Sequence, residues 1–337
     1  MIRTAAIAVG LAAFAVSAAD SGLMKNIVFD HYSALSGSAE IARRLFTPLS
    51  YQRMQSHLAD VRAQPVDLAQ EKFAVYVPSG APPENGYGVF VFIPPWPEAA
   101  LPDDWPRVLE RHGIIFVSAA NSGNDAGTLD RRVPLALLAY ENIRSRYRLD
   151  ADRVYVGGLS GGSRVALRVA LAYPDVFDGA LLNAGSDPVG GDQVALPPND
   201  LFERFQQSTR IAFVTGERDE FNRHADAVSQ ASFRSWCVFN LDSVTMPRRG
   251  HEIANASGFA EALKYLEMPR PGGTQKLKGC RARLQHELAS KIADAQAAID
   301  SGSRNNAIEA VNTIDAHFGG TAADAIQQLQ GKIDARK

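Results

Sequence analysis

The chain has little of what would tie it to a polyanion, a membrane interior or a disulfide scaffold. Its formal net charge is -2 over 337 residues, with no long run of Lys or Arg. No strong field draws in nucleic acid as a main partner, and the charged residues read as solvated faces. Past the first twenty residues no apolar run approaches the roughly 20 residues that span a bilayer, so no transmembrane segment is expected there. Cysteine is reduced to two residues, Cys237 and Cys280. Neither stands near the amino terminus, where a lipid would be attached.

The start of the chain has a pattern of its own. Met1-Ile2-Arg3-Thr4 carries one positive charge, Ala5 to Ala15 is apolar, and Val16-Ser17-Ala18-Ala19 supplies small residues at a cleavable junction. Charge, apolar run and small-residue junction are the three parts of a signal peptide, here 1–19, and the apolar part is too short for an anchor. A periplasmic or secreted protein beginning near Ala19 or Asp20 is the expectation. In an oxidising compartment Cys237 and Cys280 can form one disulfide, which would staple the C-terminal region to the main domain. Two separate thiols is the other reading, because sequence does not fix the Cα separation that decides it. Oligomeric state is not legible.

From about residue 71 to 268, apolar runs alternate with helical patterns. The runs are Phe73 to Val77, Val89 to Ile93, Ile114 to Val117, Val154 to Val156, Ala180 to Leu182, Ile211 to Val214 and Cys237 to Phe239. Helical spacing falls at Trp105 to Arg111, Leu135 to Tyr147, Gly162 to Tyr173 and Gly258 to Leu266. This order predicts an α/β fold with a doubly wound, mostly parallel sheet, whose strands are apolar on both faces. Residues 20–70 are less regular and are expected to pack on the sheet or its edge. A breaker-rich linker at 269–275 precedes a small helical tail, 276–337, in which apolar residues recur at helical spacing in three sets.

The strongest chemical signal is Val154-Tyr155-Val156-Gly157-Gly158-Leu159-Ser160-Gly161-Gly162. An apolar strand runs into G-x-S-x-G and then into a helix, the strand-turn-helix that presents a nucleophilic serine. Gly158 and Gly162 are required where chains approach too closely for a side chain. The N–H of Gly161, at the positive end of the following helix, is the expected first donor of an oxyanion hole. Phosphate cradling is the rival for such a turn. There is no P-loop Lys ending, however, and Asn183-Ala184 stands where a dinucleotide site would place an acid.

A serine hydroxyl needs a histidine to take its proton, and the histidine needs a carboxylate. In this fold the order is Ser, acid, His. Asp219, in the polar loop Thr215 to Asn222 after a strand, is the expected acid, with Asp187 in reserve. Among seven histidines, His251 alone follows the last predicted strand and precedes the last helix of the domain, where a base reaches over the sheet edge. The second oxyanion donor is expected from Pro94-Pro95-Trp96-Pro97, where only Trp96 has an N–H to give. Asn121 and Asn124, after the next strand, are candidates to line the substrate. No metal and no organic cofactor is called for.

With these residues assembled, the chain resembles the α/β-hydrolase superfamily, and within it the secreted esterases grouped with polyhydroxybutyrate depolymerases and feruloyl esterases. The likeness is carried by Leu149 to Gly162, followed by Ala172-Tyr173-Pro174-Asp175-Val176-Phe177, and covers roughly Phe73 to Leu266 in layout. It implies the roles given above for Ser160, Asp219 and His251. Where the family has a His-Gly or Gly-rich oxyanion loop, this chain has Pro94-Pro95-Trp96-Pro97. The expectation is an exported serine esterase acting on a small-molecule or polymeric ester. A serine peptidase on the same fold remains open, as does a weakly catalytic hydrolase-fold protein that binds a partner through its tail.

Overall fold

Runs rich in Val, Ile and Phe that are apolar on both faces pack best in the interior of a parallel sheet, and that is where these lie. The computed structural model describes residues 21–55, 61–191, 193–269 and 272–336. The expected signal peptide, 1–19, and His57 lie outside the described residues.

The strands are β1 (Gly22–Ile27), β2 (Phe73–Val77), β3 (Tyr87–Ile93), β4 (Ile114–Ala119), β5 (Leu149–Leu159), β6 (Gly179–Asn183), β7 (Arg210–Gly216) and β8 (Leu241–Met246). They form one eight-stranded sheet in the order β1-β2-β4-β3-β5-β6-β7-β8. β1 with β2 and β2 with β4 are antiparallel, and all other pairs are parallel. The first part of the 20–70 segment therefore supplies the edge strand β1.

Helices α1 (Ser38–Leu45) and α2 (Pro48–Gln55) complete that segment. The crossovers carry α3 (Pro106–His112), α4 (Val133–Arg146), α5 (Gly161–Ala172), α6 (Asn199–Ser208), α7 (Glu220–Ser235) and α8 (Ala256–Leu266). One face of the sheet is covered by α3 and α8, and the rings of Trp105, the cap of α3, and Phe259 of α8 lie parallel with centroids 3.9 Å apart. The Trp105 indole N–H donates to Ala254 O at 2.7 Å, so burying that ring leaves no donor unpaired. The other face is covered by α4 and α5, in a core that runs on into the C-terminal helices.

One expected strand is not a strand. Cys237 to Phe239 is apolar because it turns through the core. Cys237 has φ +64°, and its N–H closes the end of α7 onto Arg234 O. The last strand begins at Leu241, at the opposite sheet edge from β1. It escaped notice because Leu241-Asp242-Ser243-Val244-Thr245-Met246 is polar at every position that faces water.

The tail forms α9 (Gln275–Asp300), α10 (Arg304–Phe318) and α11 (Ala323–Asp334). Ile299, Val311, Ile314, Phe318, Ile326 and Leu329 are buried in the same core as residues of the sheet. Cys237 and Cys280 are disulfide-bonded, with Cα atoms 5.7 Å apart and 43 positions between them in sequence. Closing a loop of that length restricts the unfolded chain, and replacing both cysteines by serine is expected to lower unfolding stability by roughly 2–4 kcal/mol. Urea unfolding monitored by circular dichroism reads the loss, and an unchanged midpoint would show that the bond adds nothing to folding.

Candidate active site

β5 ends at Leu159 and α5 begins at Gly161, so a single residue makes the turn. Ser160 has φ +56° and ψ -119°, a region that L side chains rarely adopt and that persists only where surrounding contacts hold it. Two contacts do so here. Its N–H donates to Asn183 O at 2.9 Å, and its carbonyl accepts from Arg164 N at 3.2 Å. The flanking glycines are steric necessities, since a Cβ on Gly162 would lie 1.9 Å from Ile93 O and one on Gly158 would lie 2.4 Å from the Gly162 carbonyl carbon.

Two strands away, past the end of β7, Asp219 caps the amino end of α7, accepting from Asn222 N at 3.3 Å. Its other oxygen meets His251 Nδ1 at 2.7 Å. The Asn222 side-chain amide donates to both Asp219 oxygens, at 3.0 and 2.8 Å. Burial pushes the Asp219 carboxyl up, but hydrogen bonds from His251 and Asn222 outweigh it and hold the group below the ordinary aspartate value. An ionised carboxylate only accepts, so Nδ1 of His251 directs a proton at Asp219 and Nε2 lies on the side of the ring away from it. The His251 side chain is 46% exposed and that of Asp219 is 6% exposed: the imidazole stands at the rim, the carboxylate beneath it.

Asn183, at the end of β6, ties the serine turn to the histidine loop. Its backbone oxygen holds Ser160 N, while its side chain donates to Glu252 O at 3.2 Å and accepts from Ala254 N at 2.6 Å. The residues flanking His251 are thus fixed to the residue that fixes Ser160. Among the described residues no hydrogen bond joins Ser160 to His251 directly. Asp226 braces the neighbouring strand ends by accepting from Ser186 Oγ and Thr215 Oγ1, each at 2.6 Å, and burial raises its carboxyl above the usual value.

The reserve acid Asp187 serves elsewhere, paired with Arg164 at 3.0 Å and Arg168 at 2.7 Å. The loop after β3 is zipped to the loop after β4. Pro94 O accepts from Arg132 Nη2 at 3.0 Å, Pro95 O from Asn124 N at 3.0 Å and Pro97 O from Asn121 N at 2.6 Å. Trp96 alone retains an N–H in that loop, and its half-buried ring packs 6.3 Å from Phe92. Asn124 sits directly over Gly161, where an added Cβ would be 2.1 Å from its Oδ1. Asn121 is exposed and stands outside the adjoining cleft.

That cleft, of about 900 Å³, opens beside Gly161 and Asn124. Its walls come from α2, α5, the turn 128–132, residues 187–191 and 193–195, and α10 of the tail. Arg132 borders it with only 4% exposure. Its recorded partners are the carbonyls of Ser122 and Pro94, and burial holds its pKa below the ordinary value. Among the described residues no three His, Cys, Asp or Glu side chains converge as a metal site requires.

Residues 118–226 match the family described as Esterase PHB depolymerase, a stretch that contains Ser160 and Asp219 and stops before His251. With this match, the sheet order and the single-residue turn at Ser160 are of one kind. The chain has an α/β-hydrolase fold, and its residues 118–226 match this esterase family.

No curated protein matches the hydrolase. Among solved structures it is similar to the poly(3-hydroxybutyrate) depolymerase LpqC from Bordetella parapertussis, at 17% identity and TM-score 0.43, covering 62% of this chain and 88% of that one. A ferulic acid esterase aligns at 16% identity and TM-score 0.44, covering 58% and 91%. Dipeptidyl peptidase 4 of Porphyromonas gingivalis aligns at 15% identity and TM-score 0.43 over 58% of the hydrolase, which spans only 33% of that peptidase.

Asn183, Asn222 and Arg132 escaped the sequence reading. Asn222 had a faint signal, three residues after an Asp at a helix start. Asn183 and Arg132 act through partners distant in the chain and had none.

Proposed function

We propose that the hydrolase cleaves carboxylic esters through an acyl-enzyme on Ser160, with His251 as the base and Asp219 as its acid. The 2.7 Å contact between His251 Nδ1 and Asp219 carries the reading, because it leaves Nε2 basic on the loop that Asn183 ties to the serine turn. Ser160 Oγ adds to the ester carbonyl while Nε2 takes the hydroxyl proton. The charge on the carbonyl oxygen falls to the N–H of Gly161 and, from the facing loop, that of Trp96. Collapse of the adduct expels the alcohol, which leaves with the proton from Nε2. Water, deprotonated by the same nitrogen, then releases the acid and restores Ser160. Every proton in the cycle passes through His251. Export rests on residues 1–19, and the Cys237–Cys280 bond suits an oxidising compartment.

A fluorophosphonate probe tests the reading directly. Labelling is expected at Ser160 and is expected to vanish in His251→Ala. An unlabelled wild-type protein would instead favour a binding role on a hydrolase fold. Nitrophenyl esters assayed beside peptide amides separate esterase from peptidase.

A further inference from the structure

The cleft beside Gly161 is charged in a way that ester chemistry at Ser160 does not require. Among the described residues Arg53, Arg132, Arg164 and Arg168 border it, against two carboxylates, Asp187 and Asp315. Each carboxylate is already engaged: Asp187 lies between Arg164 and Arg168, and Asp315 accepts from Leu49 N at 2.9 Å. Two arginines share one aspartate, while Arg132, almost wholly buried, donates to carbonyl oxygens of Ser122 and Pro94. A chain with a formal net charge of -2 has thus gathered an excess of positive charge into one concave surface. Low-dielectric walls focus such a field, and guanidinium groups favour carboxylates through paired hydrogen bonds.

Resting on the esterase reading, we propose that the substrate is an anionic ester, whose carboxylate, remote from the scissile bond, is held in this cleft by Arg168 and its neighbours. Gly161 contributes both to the cleft wall and to the turn at Ser160, so a ligand anchored there by its charge extends toward the nucleophile. Thr47, Asn124, Gln193 and Asn312 supply uncharged polar groups along the same walls.

Matched ester pairs test this. On the acyl side, para-nitrophenyl hydrogen adipate is compared with para-nitrophenyl hexanoate. On the alcohol side, the hexanoyl ester of para-hydroxybenzoate is compared with that of para-hydroxybenzamide. At low salt, kcat/KM for the anionic member of one pair is expected to exceed that of its neutral partner by roughly tenfold or more, and the pair that responds shows which side bears the charge. The ratio is expected to shrink as ionic strength rises and to fall several-fold in Arg168→Gln, with partial retention in Arg168→Lys. Arg53→Gln at the exposed rim gives a second reading should Arg168→Gln fold poorly. A binding measurement stands apart from turnover: Ser160→Ala protein titrated with monomethyl adipate is expected to bind it more tightly than dimethyl adipate. Neutral esters turned over with no preference in either pair would overturn the proposal and spare the esterase reading. Selective binding of the monoanion without turnover of any ester would do the reverse.

Discussion

His251→Gln is expected to lower kcat on a neutral nitrophenyl ester by roughly 10⁴- to 10⁶-fold, because the members of a triad act as a unit and losing one removes most of the effect of all three. Glutamine preserves polarity at the rim but cannot take a proton from Ser160. With nearly half of the side chain exposed, the change should move unfolding stability by less than about 1 kcal/mol, so a large rate loss in a normally folded protein is the signature. Asp219→Asn is expected to lose about 10⁴-fold by another route, since an amide donating to Nδ1 would place the imidazole proton on Nε2. The Asp219 carboxyl is held below its ordinary value, so its contribution to stability is present above the unfolded-state pKa. That contribution is lost as pH falls through the lower folded value. A His251→Gln protein retaining even a tenth of wild-type kcat would remove the triad from the mechanism.

Gly162→Ala is expected to be the most damaging small substitution in the chain. Its Cβ would sit 1.9 Å from the carbonyl oxygen of Ile93, and backbone oxygen in a central strand has no rotamer by which to retreat. Either β3 or the start of α5 would have to shift, carrying Ser160 with it, at a cost of about 3 kcal/mol or more. Gly279→Ala provides the contrast. It lies within α9 with nothing inside 4 Å of the added carbon, and should gain roughly 0.5–1 kcal/mol from helix propensity alone. Urea melts of the two variants should move in opposite directions, and a Gly162→Ala protein as stable and active as wild type would show that the elbow is not sterically closed.

The contrast also explains what was legible in the sequence. The turn at Ser160 is local, with strand, tight bend and helix all within a few residues, and crowding at Gly158 and Gly162 leaves its mark as glycine in the motif itself. A mostly parallel sheet could be anticipated because strands buried on both faces need apolar residues throughout. β8 was misplaced because an edge strand with one wet face looks polar, while Cys237 to Phe239 looks like a strand only because it is buried. Asp219 and His251 were reachable through chain order and position in loops. Asn183 was not, since its function is to hold Ala254, 71 residues further on, and no local pattern announces a long-range clamp. The docking of the tail onto the main core was not legible, because helical periodicity shows which face of a helix is buried without saying against what.

Asn312, Asp315 and Ala316 of α10 close the same cleft as residues of α2 and α5. Synthesis from the amino terminus therefore completes Ser160, Asp219 and His251 well before the last wall of their neighbouring chamber exists. A polypeptide stopped short of α9 would carry Ser160, Asp219 and His251 and still lack that wall, so the cleft is enclosed only when the final helices dock.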